Sequence, residues 1–347
     1  MTNHLAFTRN TKIDFARGLA IIIMILANSA PYLLENVDIP FFMRFIFSTA
    51  APIFIFLSGY SLNLAFKSNK SIIEIITRPI QILVLAILID CFIWKIIPFQ
   101  TFDVLYLIGF SQVIIIIFQK TSPSIKIVLL FLGLLTYIYV TIEYNYRFQI
   151  LENNFSFDNF KTFSFNSSLQ RMIFDGWFPL LPWFSVALLG YLAEQYNYTR
   201  KNTKYYFIAG IINFIGSYSL FIFFPASINY PREKYLEIFY PISIIFSIQL
   251  CGIFTLILIF INSKIELKSM VTYIGKSSLF VYLIHTIIIK NILTKFHFTF
   301  INIFVSFFIN GILFLITIYI SCTIISFLKP YLLNNKITKP ILFILGL

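Results

Sequence analysis

Long uninterrupted apolar runs are the feature that most constrains what this chain can fold into. A helix needs about 20 residues to cross the hydrocarbon core of a bilayer, and ten runs of roughly this length follow one another. They fall near 13–30, 41–65, 72–94, 102–118, 124–142, 177–197, 204–224, 238–261, 270–292 and 299–328. The runs are continuous, whereas the strands of a membrane barrel alternate apolar and polar residues. The sequence therefore predicts an all-α, polytopic integral membrane protein with about ten transmembrane helices.

The composition agrees with a membrane protein rather than a soluble one. Of the 347 residues, 59% are hydrophobic and only 12% are charged, whereas about a quarter of the residues in a soluble domain are charged. We expect a single transmembrane domain over residues 1–347, with one long connection at about 143–176. That connection is rich in Asn, Asp, Ser and Phe, so short amphipathic helices could lie in it.

The distribution of charge predicts the orientation of the chain. The net charge is +12, but no basic cluster is longer than Arg200-Lys201, so a nucleic-acid partner is not expected. Lys and Arg collect in alternate connections, which places those connections in the cytoplasm by the positive-inside rule. We therefore expect both termini in the cytoplasm and the 143–176 connection on the opposite side.

The cysteines give no sign of a metal site. Cys91, Cys251 and Cys322 all lie in or beside apolar runs, without the spacing of a disulfide framework or of metal ligands. We expect neither a bound metal nor a resident cofactor.

Ionisable side chains inside the spans are costly and are therefore candidates for function. Asp14 and Arg17 lie three residues apart, share a helix face and can pair; they could also simply anchor a helix end. Arg44 falls in the second span and His285 well inside the ninth. A buried histidine can be a packing residue, but the cost of burying it in a bilayer favours a place beside a cavity. Asp90 near the end of the third span and Asp103 at the start of the fourth could simply lie at the outer interface.

Two further segments are candidates for binding. Pro179 and Pro182 interrupt a span just before Trp183, and such breaks are tolerated where the backbone lines a cavity. An interfacial aromatic anchor is the alternative. The connection that holds Arg232, Lys234 and Tyr235 could meet an anionic group, or could be an ordinary solvated loop.

Six segments together resemble a family of transmembrane acyltransferases. The resemblance is to the bacterial branch of the heparan-α-glucosaminide N-acetyltransferase family and, more distantly, to the acyltransferase-3 family. It covers nearly the whole chain, in the family's order, and its bacterial branch implies a bacterial cytoplasmic (inner) membrane as the location. The segments are Arg9–Met24, Phe41–Gly59, Asp103–Gly109, Leu181–Tyr191, Arg232–Tyr235 and Gly275–His285.

The resemblance implies acyl transfer across the bilayer. An acyl group, most simply acetyl, would pass from cytoplasmic acyl-CoA to a hydroxyl or amine of a cell-surface glycan or lipid-linked sugar on the other side. Acetyl-CoA is then a donor substrate rather than a bound cofactor. The other expected partners are membrane lipids and, in a homo-oligomer, further copies of the chain.

The resemblance also suggests roles for individual residues. Asp14 and Arg17 would shape the cytoplasmic mouth for the CoA phosphates. Arg44, Trp183 and His285 would line the central cavity. Arg232, Lys234 and Tyr235 would contribute to substrate binding.

The chain departs from the family at the position of the expected catalytic base. Eleven residues after Arg17 the family usually has histidine, and this chain has Asn28. An asparagine can polarise a carbonyl or stabilise an oxyanion, but it is not a base at neutral pH. Glu35, Asp38 and His285 are the candidates to replace the base, and the sequence does not choose among them.

The missing histidine leaves a second interpretation open. The chain could be an inactive homologue that acts as a transporter, a lipid-handling protein or an assembly partner. Arg44 and His285 inside the spans favour the enzyme, because a bystander would gain stability by losing them. An unrelated secondary transporter would show symmetric broken helices in two halves, and we find no such pairing in the sequence.

Overall fold

Helices form all the regular structure in the described part of the chain. The computed structural model describes residues 9–34, 39–68, 70–143, 165–196, 203–224, 238–239, 242–265, 269–293 and 302–333, together with Leu342 and Leu345. No strand occurs among these residues. The predicted all-α class is confirmed.

Thirteen α-helices, three of them extended by π-helical turns, can be followed along these residues. They are α1 (Thr11–Leu33), α2 (Phe41–Phe47), α3 (Ala50–Lys67), α4 (Ile72–Leu88, extended by Ile89–Trp94), α5 (Val104–Ile117), α6 (Pro123–Glu143), α7 (Phe165–Gln170, extended by Arg171–Asp175), α8 (Leu180–Tyr196), α9 (Thr203–Phe223), α10 (Ile244–Asn262), α11 (Met270–Lys276), α12 (Ser278–Ile288, extended by Ile289–Leu293) and α13 (Ile303–Leu333).

Six of these segments are long and apolar enough to cross a membrane, and the chain is an integral membrane protein. They are Thr11–Leu33, Phe41–Lys67, Ile72–Trp94, Thr203–Phe223, Ile244–Asn262 and Ile303–Leu333. The pair α11 and α12 would make a seventh, although it bends by 93° at its break. The remaining predicted spans coincide with α5, α6 and α8. The total of ten and the cytoplasmic termini therefore stay predictions.

Two close helix contacts hold the bundle together and depend on glycine. At Gly275, a Cβ atom would lie 1.8 Å from the carbonyl oxygen of Asp14, so α11 rests directly on the backbone of α1. At Gly59, a Cβ atom would lie 1.8 Å from the carbonyl oxygen of Ala187, and α3 meets α8 in the same way. Small residues permit such backbone contact between membrane helices.

One end of the bundle, which we call the basic end, gathers the ion pairs. Arg9 binds Asp14 at the start of α1. Lys67 binds Glu194 where α3 and α8 end, with 2.6 Å between Nζ and Oε2. Lys12 donates to the carbonyls of Ile261 and Ser263 at the end of α10, which satisfies orphan carbonyls of that helix.

The opposite end, which we call the aromatic end, carries Trp94, Trp177 and Phe178. The segment after α4 lies beside the segment before α8, because the Trp177 and Phe178 amides donate to the carbonyls of Thr101 and Phe102, at 2.8 and 3.0 Å. These contacts bring the end of α4 and the starts of α5 and α8 together around one space.

The predicted long connection at 143–176 is partly helical. Helix α7 and its π-helical extension occupy residues 165–175. Arg171 donates to the carbonyl of Gln100 at 2.8 Å, which ties this part to the segment before α5. Residues 144–164 lie outside the described part of the chain.

Candidate functional site

A cavity of about 390 Å³ opens at the aromatic end. The end of α1, the starts of α3 and α5, and the end of α12 surround it. Its wall is mainly apolar, with a few polar side chains on one side. The lining residues are Met24, Ala27, Asn28, Pro31, Tyr32, Phe47, Ala50, Ala51, Phe54, Trp94, Asp103, Val104, Trp177, Phe178, Phe239, Tyr282, His285, Thr286 and Ile289.

Asn28 and His285 meet in the wall of this cavity. Asn28 Nδ2 lies 3.2 Å from His285 Nε2, and His285 Nδ1 lies 3.3 Å from the carbonyl oxygen of Val281. A carbonyl can only accept, so Nδ1 carries the proton and Nε2 accepts from the Asn28 amide. His285 is completely buried. The imidazole therefore fixes which side of the Asn28 amide faces the cavity.

The end of α1 gives Asn28 an unusual backbone neighbour. Pro31 lies inside the helix and has no N–H, so the carbonyl of Ala27 has no helical donor four residues later. Asn28 lies eleven residues after Arg17, which is about 16 Å along an α-helix. Helix α1 thus runs from the basic end to the cavity.

Asp103 and Tyr282 form a second polar pair in the same wall. The hydroxyl of Tyr282 donates to Asp103 Oδ2 at 2.5 Å. Asp103 Oδ1 accepts from the amide of Val104 at 2.6 Å and so caps the start of α5. The ring of Tyr282 packs edge-on against His285, with 4.9 Å between ring centroids. The carboxylate is thereby connected to the Asn28–His285 pair.

A similar pair lies outside the cavity wall. The hydroxyl of Tyr106 donates to Asp90 Oδ2 at 2.6 Å, and both residues are buried. Neither residue lines the cavity. The pair joins α5 to the π-helical extension of α4, which is a structural role.

At the basic end, Asp14 binds two arginines. Arg9 makes two hydrogen bonds to its carboxylate, at 2.6 and 3.0 Å, and Arg17 Nη1 lies 3.5 Å from Oδ1, so the pairing that the spacing predicts is present. Arg17 also donates to Ser61 Oγ at 2.6 Å, and Arg9 donates to the carbonyl of Lys276. This network joins α1, α3 and α11.

The other predicted site residues lie elsewhere. Arg44 lies on α2 and is not among the residues that line the cavity. Trp183 is buried one layer behind the wall, where its ring packs edge-on against Phe178 and Phe239. Arg232, Lys234 and Tyr235 lie outside the described part of the chain, as do the candidate bases Glu35 and Asp38.

Asp103 and Tyr282 are the site residues to which the sequence analysis assigned no role. Asp103 begins a segment of the resemblance and Tyr282 lies three residues before His285, so both positions carried a signal. Each position is also compatible with an ordinary role, Asp103 as a charged residue at the outer interface and Tyr282 as an aromatic packing residue. In the described part of the chain, no group of three or more His, Cys, Asp or Glu side chains could hold a metal ion.

Comparison with known proteins places this chain in a family. The family model described as heparan-alpha-glucosaminide N-acetyltransferase, catalytic, matches residues 9–227. The match covers more than half of the chain and includes Asn28 and Asp103, whereas Tyr282 and His285 lie beyond it. No curated protein matches the chain significantly.

Proposed function

The chain belongs to the heparan-α-glucosaminide N-acetyltransferase catalytic family, and from this premise we propose that it is a membrane-bound acetyltransferase. Acetyl-CoA binds from the cytoplasm, and the acetyl group passes to a sugar or glycan on the other side of the membrane. The observation that carries the proposal is the cavity with Asn28 and His285 in its wall. Asn28 lies on α1, the helix that begins at the basic end.

The basic end supports binding of the donor. CoA carries several phosphates, and arginine recognises phosphate through paired hydrogen bonds. Arg9 and Arg17 lie together at this end, and the Arg9 side chain is 52% exposed. A phosphate would compete with Asp14 for the two guanidinium groups. The thiol arm of CoA would then run along α1 toward Asn28.

Asn28 supports the chemistry at the other end of that path. The attack of a hydroxyl or amine on the thioester carbonyl creates negative charge on the carbonyl oxygen, which fixed N–H donors stabilise. One N–H of the Asn28 amide is held by His285, and the second can point to this oxygen. The wall of the cavity is mainly apolar, and the low local dielectric of such surroundings would strengthen this interaction.

The experiment measures acetyl-CoA binding and CoA release by the full chain, purified in detergent, with a mixture of glycan acceptors. Turnover that falls strongly in Asn28→Ala, while acetyl-CoA binding persists, is the expected result. Asn310→Ala is the matched control, because Asn310 is a buried amide on α13 outside the cavity wall. Acetyl-CoA binding by the wild-type chain without any turnover would instead favour the inactive homologue, to which the missing histidine at position 28 points.

A further inference from the structure

Asp103 is the one carboxylate among the described residues that line the cavity. None of the ion pairs in the described part of the chain involves it. Its carboxylate accepts two hydrogen bonds, from Tyr282 and from the Val104 amide, whereas a carboxylate has about four acceptor positions. The group can therefore accept a further hydrogen bond from a molecule in the cavity.

His285 is poorly placed to take a proton from a substrate. It is completely buried, its Nδ1 is bound to the Val281 carbonyl, and its Nε2 accepts from Asn28. Before His285 could accept a proton from an acceptor, the Asn28–His285 hydrogen bond would have to break. The Asn28 amide would then lose its fixed orientation while the oxyanion forms and requires its N–H donor.

We propose that Asp103 is the general base of the acetyl transfer and that His285 is a positioning residue for Asn28. The inference rests on the proposed function and assigns the base that Asn28 cannot supply. Asp103 and Asn28 then divide the chemistry, because one accepts the proton of the nucleophile and the other stabilises the carbonyl oxygen.

The transfer moves one proton and exchanges one bond. The acceptor O–H or N–H donates its proton to the Asp103 carboxylate while its oxygen or nitrogen forms a bond to the thioester carbonyl carbon. The C–S bond then breaks and the electron pair leaves with the CoA sulfur. Asp103 returns the proton to this thiolate, so the products are the acetylated acceptor and free CoA, and Asp103 ends as a carboxylate.

Tyr282 positions the base in this arrangement. Its hydroxyl holds Asp103 Oδ2 and its ring packs against His285. The same side chain therefore sets the distance between the proton acceptor and the Asn28–His285 pair. Tyr282→Phe should lower kcat more than it raises the KM for acetyl-CoA, because the basic end, which binds the donor, is unchanged.

The decisive variant is Asp103→Asn. Asparagine caps a helix as well as aspartate does. Its oxygen can accept from the Val104 amide while its NH2 group donates to the hydroxyl oxygen of Tyr282, so this change removes the charge and leaves the fold. A general base contributes about 10²- to 10⁴-fold to the rate, and we expect kcat to fall at least 100-fold with acetyl-CoA binding retained. The matched control is Asp90→Asn, which removes a buried, tyrosine-bound carboxylate outside the cavity wall and should retain most of the activity.

Chemical rescue separates a base from a structural residue. In Asp103→Ala the cavity has room for formate, whose carboxylate can replace the missing base, so added formate should restore part of the turnover. It should not activate the wild-type chain or Asp90→Ala. An unchanged kcat in Asp103→Asn, or a loss that formate does not rescue in Asp103→Ala, would overturn the assignment and leave the acetyltransferase intact. A wild-type chain without turnover would overturn both.

Discussion

At the scale of single residues, the site depends on the hydrogen bond between Asn28 and His285, which fixes how each of the two side chains can act. The proton on His285 Nδ1 is fixed by a backbone carbonyl, so Nε2 can only accept, and Asn28 must present its N–H groups. A free asparagine amide could rotate and present its oxygen instead. The histidine is therefore needed even if it never exchanges a proton with a substrate.

This dependence predicts a non-additive double mutant. Loss of one donor to an oxyanion costs about 10²- to 10³-fold in kcat, and we expect Asn28→Ala to fall in this range. His285→Ala should reduce kcat less, because the amide remains but is no longer oriented. Because His285 acts through Asn28, the double variant should be no slower than Asn28→Ala alone. Steady-state kinetics of the three variants tests this, and independent, multiplicative losses would contradict it.

The same residues show how far the sequence predicts a site. His285 is recognisable because an imidazole inside an apolar span is costly, and Asn28 because a motif places it. Asp103 is not, because an aspartate before an apolar helix is also an ordinary helix cap. Tyr282 reaches Asp103 only because α12 lies beside the start of α5 in the folded chain, although the two residues are far apart in the sequence. Long-range proximity of this kind has no signature in local sequence.

At the scale of elements, several predicted spans match helices, and the interruption expected at Pro179 and Pro182 is present, since Leu181 has non-helical dihedral angles within α8. The predicted runs 204–224 and 72–94 nearly coincide with α9 and with α4 plus its π-helical turn.

An interruption without proline is not predicted. The run 41–65 contains the break between α2 and α3, where the hydroxyls of Ser48 and Thr49 donate to carbonyls of the preceding turn. Such bonds bend helices, but serine and threonine are equally compatible with a straight helix. Hydropathy alone cannot reveal the break.

The contact between α1 and α11 predicts that one added methyl group lowers the stability of the protein. In Gly275→Ala, the new Cβ would lie 1.8 Å from the carbonyl oxygen of Asp14 and 2.6 Å from the amide nitrogen of Gly18. Backbone atoms cannot move aside as a flexible side chain can, so the two helices must separate. Overpacking typically costs about 1–3 kcal/mol, and we expect thermal unfolding of the purified protein to begin at a clearly lower temperature.

Gly216→Ala is the control for this prediction. Gly216 lies within α9, and a Cβ atom at this position would meet no described atom within 4 Å beyond the neighbouring backbone of its own helix. Alanine favours a helix over glycine by about 1 kcal/mol, so this variant should be as stable as the wild-type chain or more so. Equal stability of Gly275→Ala and Gly216→Ala would show that the α1–α11 contact does not depend on glycine.

At the scale of the whole molecule, the two ends of the bundle differ in chemistry. The basic end holds Arg9, Lys12 and Lys67 with their carboxylate and carbonyl partners. The aromatic end holds the cavity with Trp94 and Trp177 in its wall. Positive charge marks the cytoplasmic side of membrane proteins, so the donor and the reaction site should lie toward opposite faces of the membrane.

This arrangement predicts which connections water-soluble reagents reach from outside. The test starts from a chain in which Cys91, Cys251 and Cys322 are replaced. In this background, Ser122→Cys places a thiol in the exposed connection between α5 and α6. This connection is near the basic end, where Lys126 contacts the ring of Tyr191. Asn302→Cys places a thiol at the exposed start of α13, where Phe307 packs against Phe47 of the cavity wall. A membrane-impermeant maleimide should label the second variant in intact cells and the first only after permeabilisation. The reverse pattern would place the cavity on the cytoplasmic side, and acetyl transfer would then not cross the membrane.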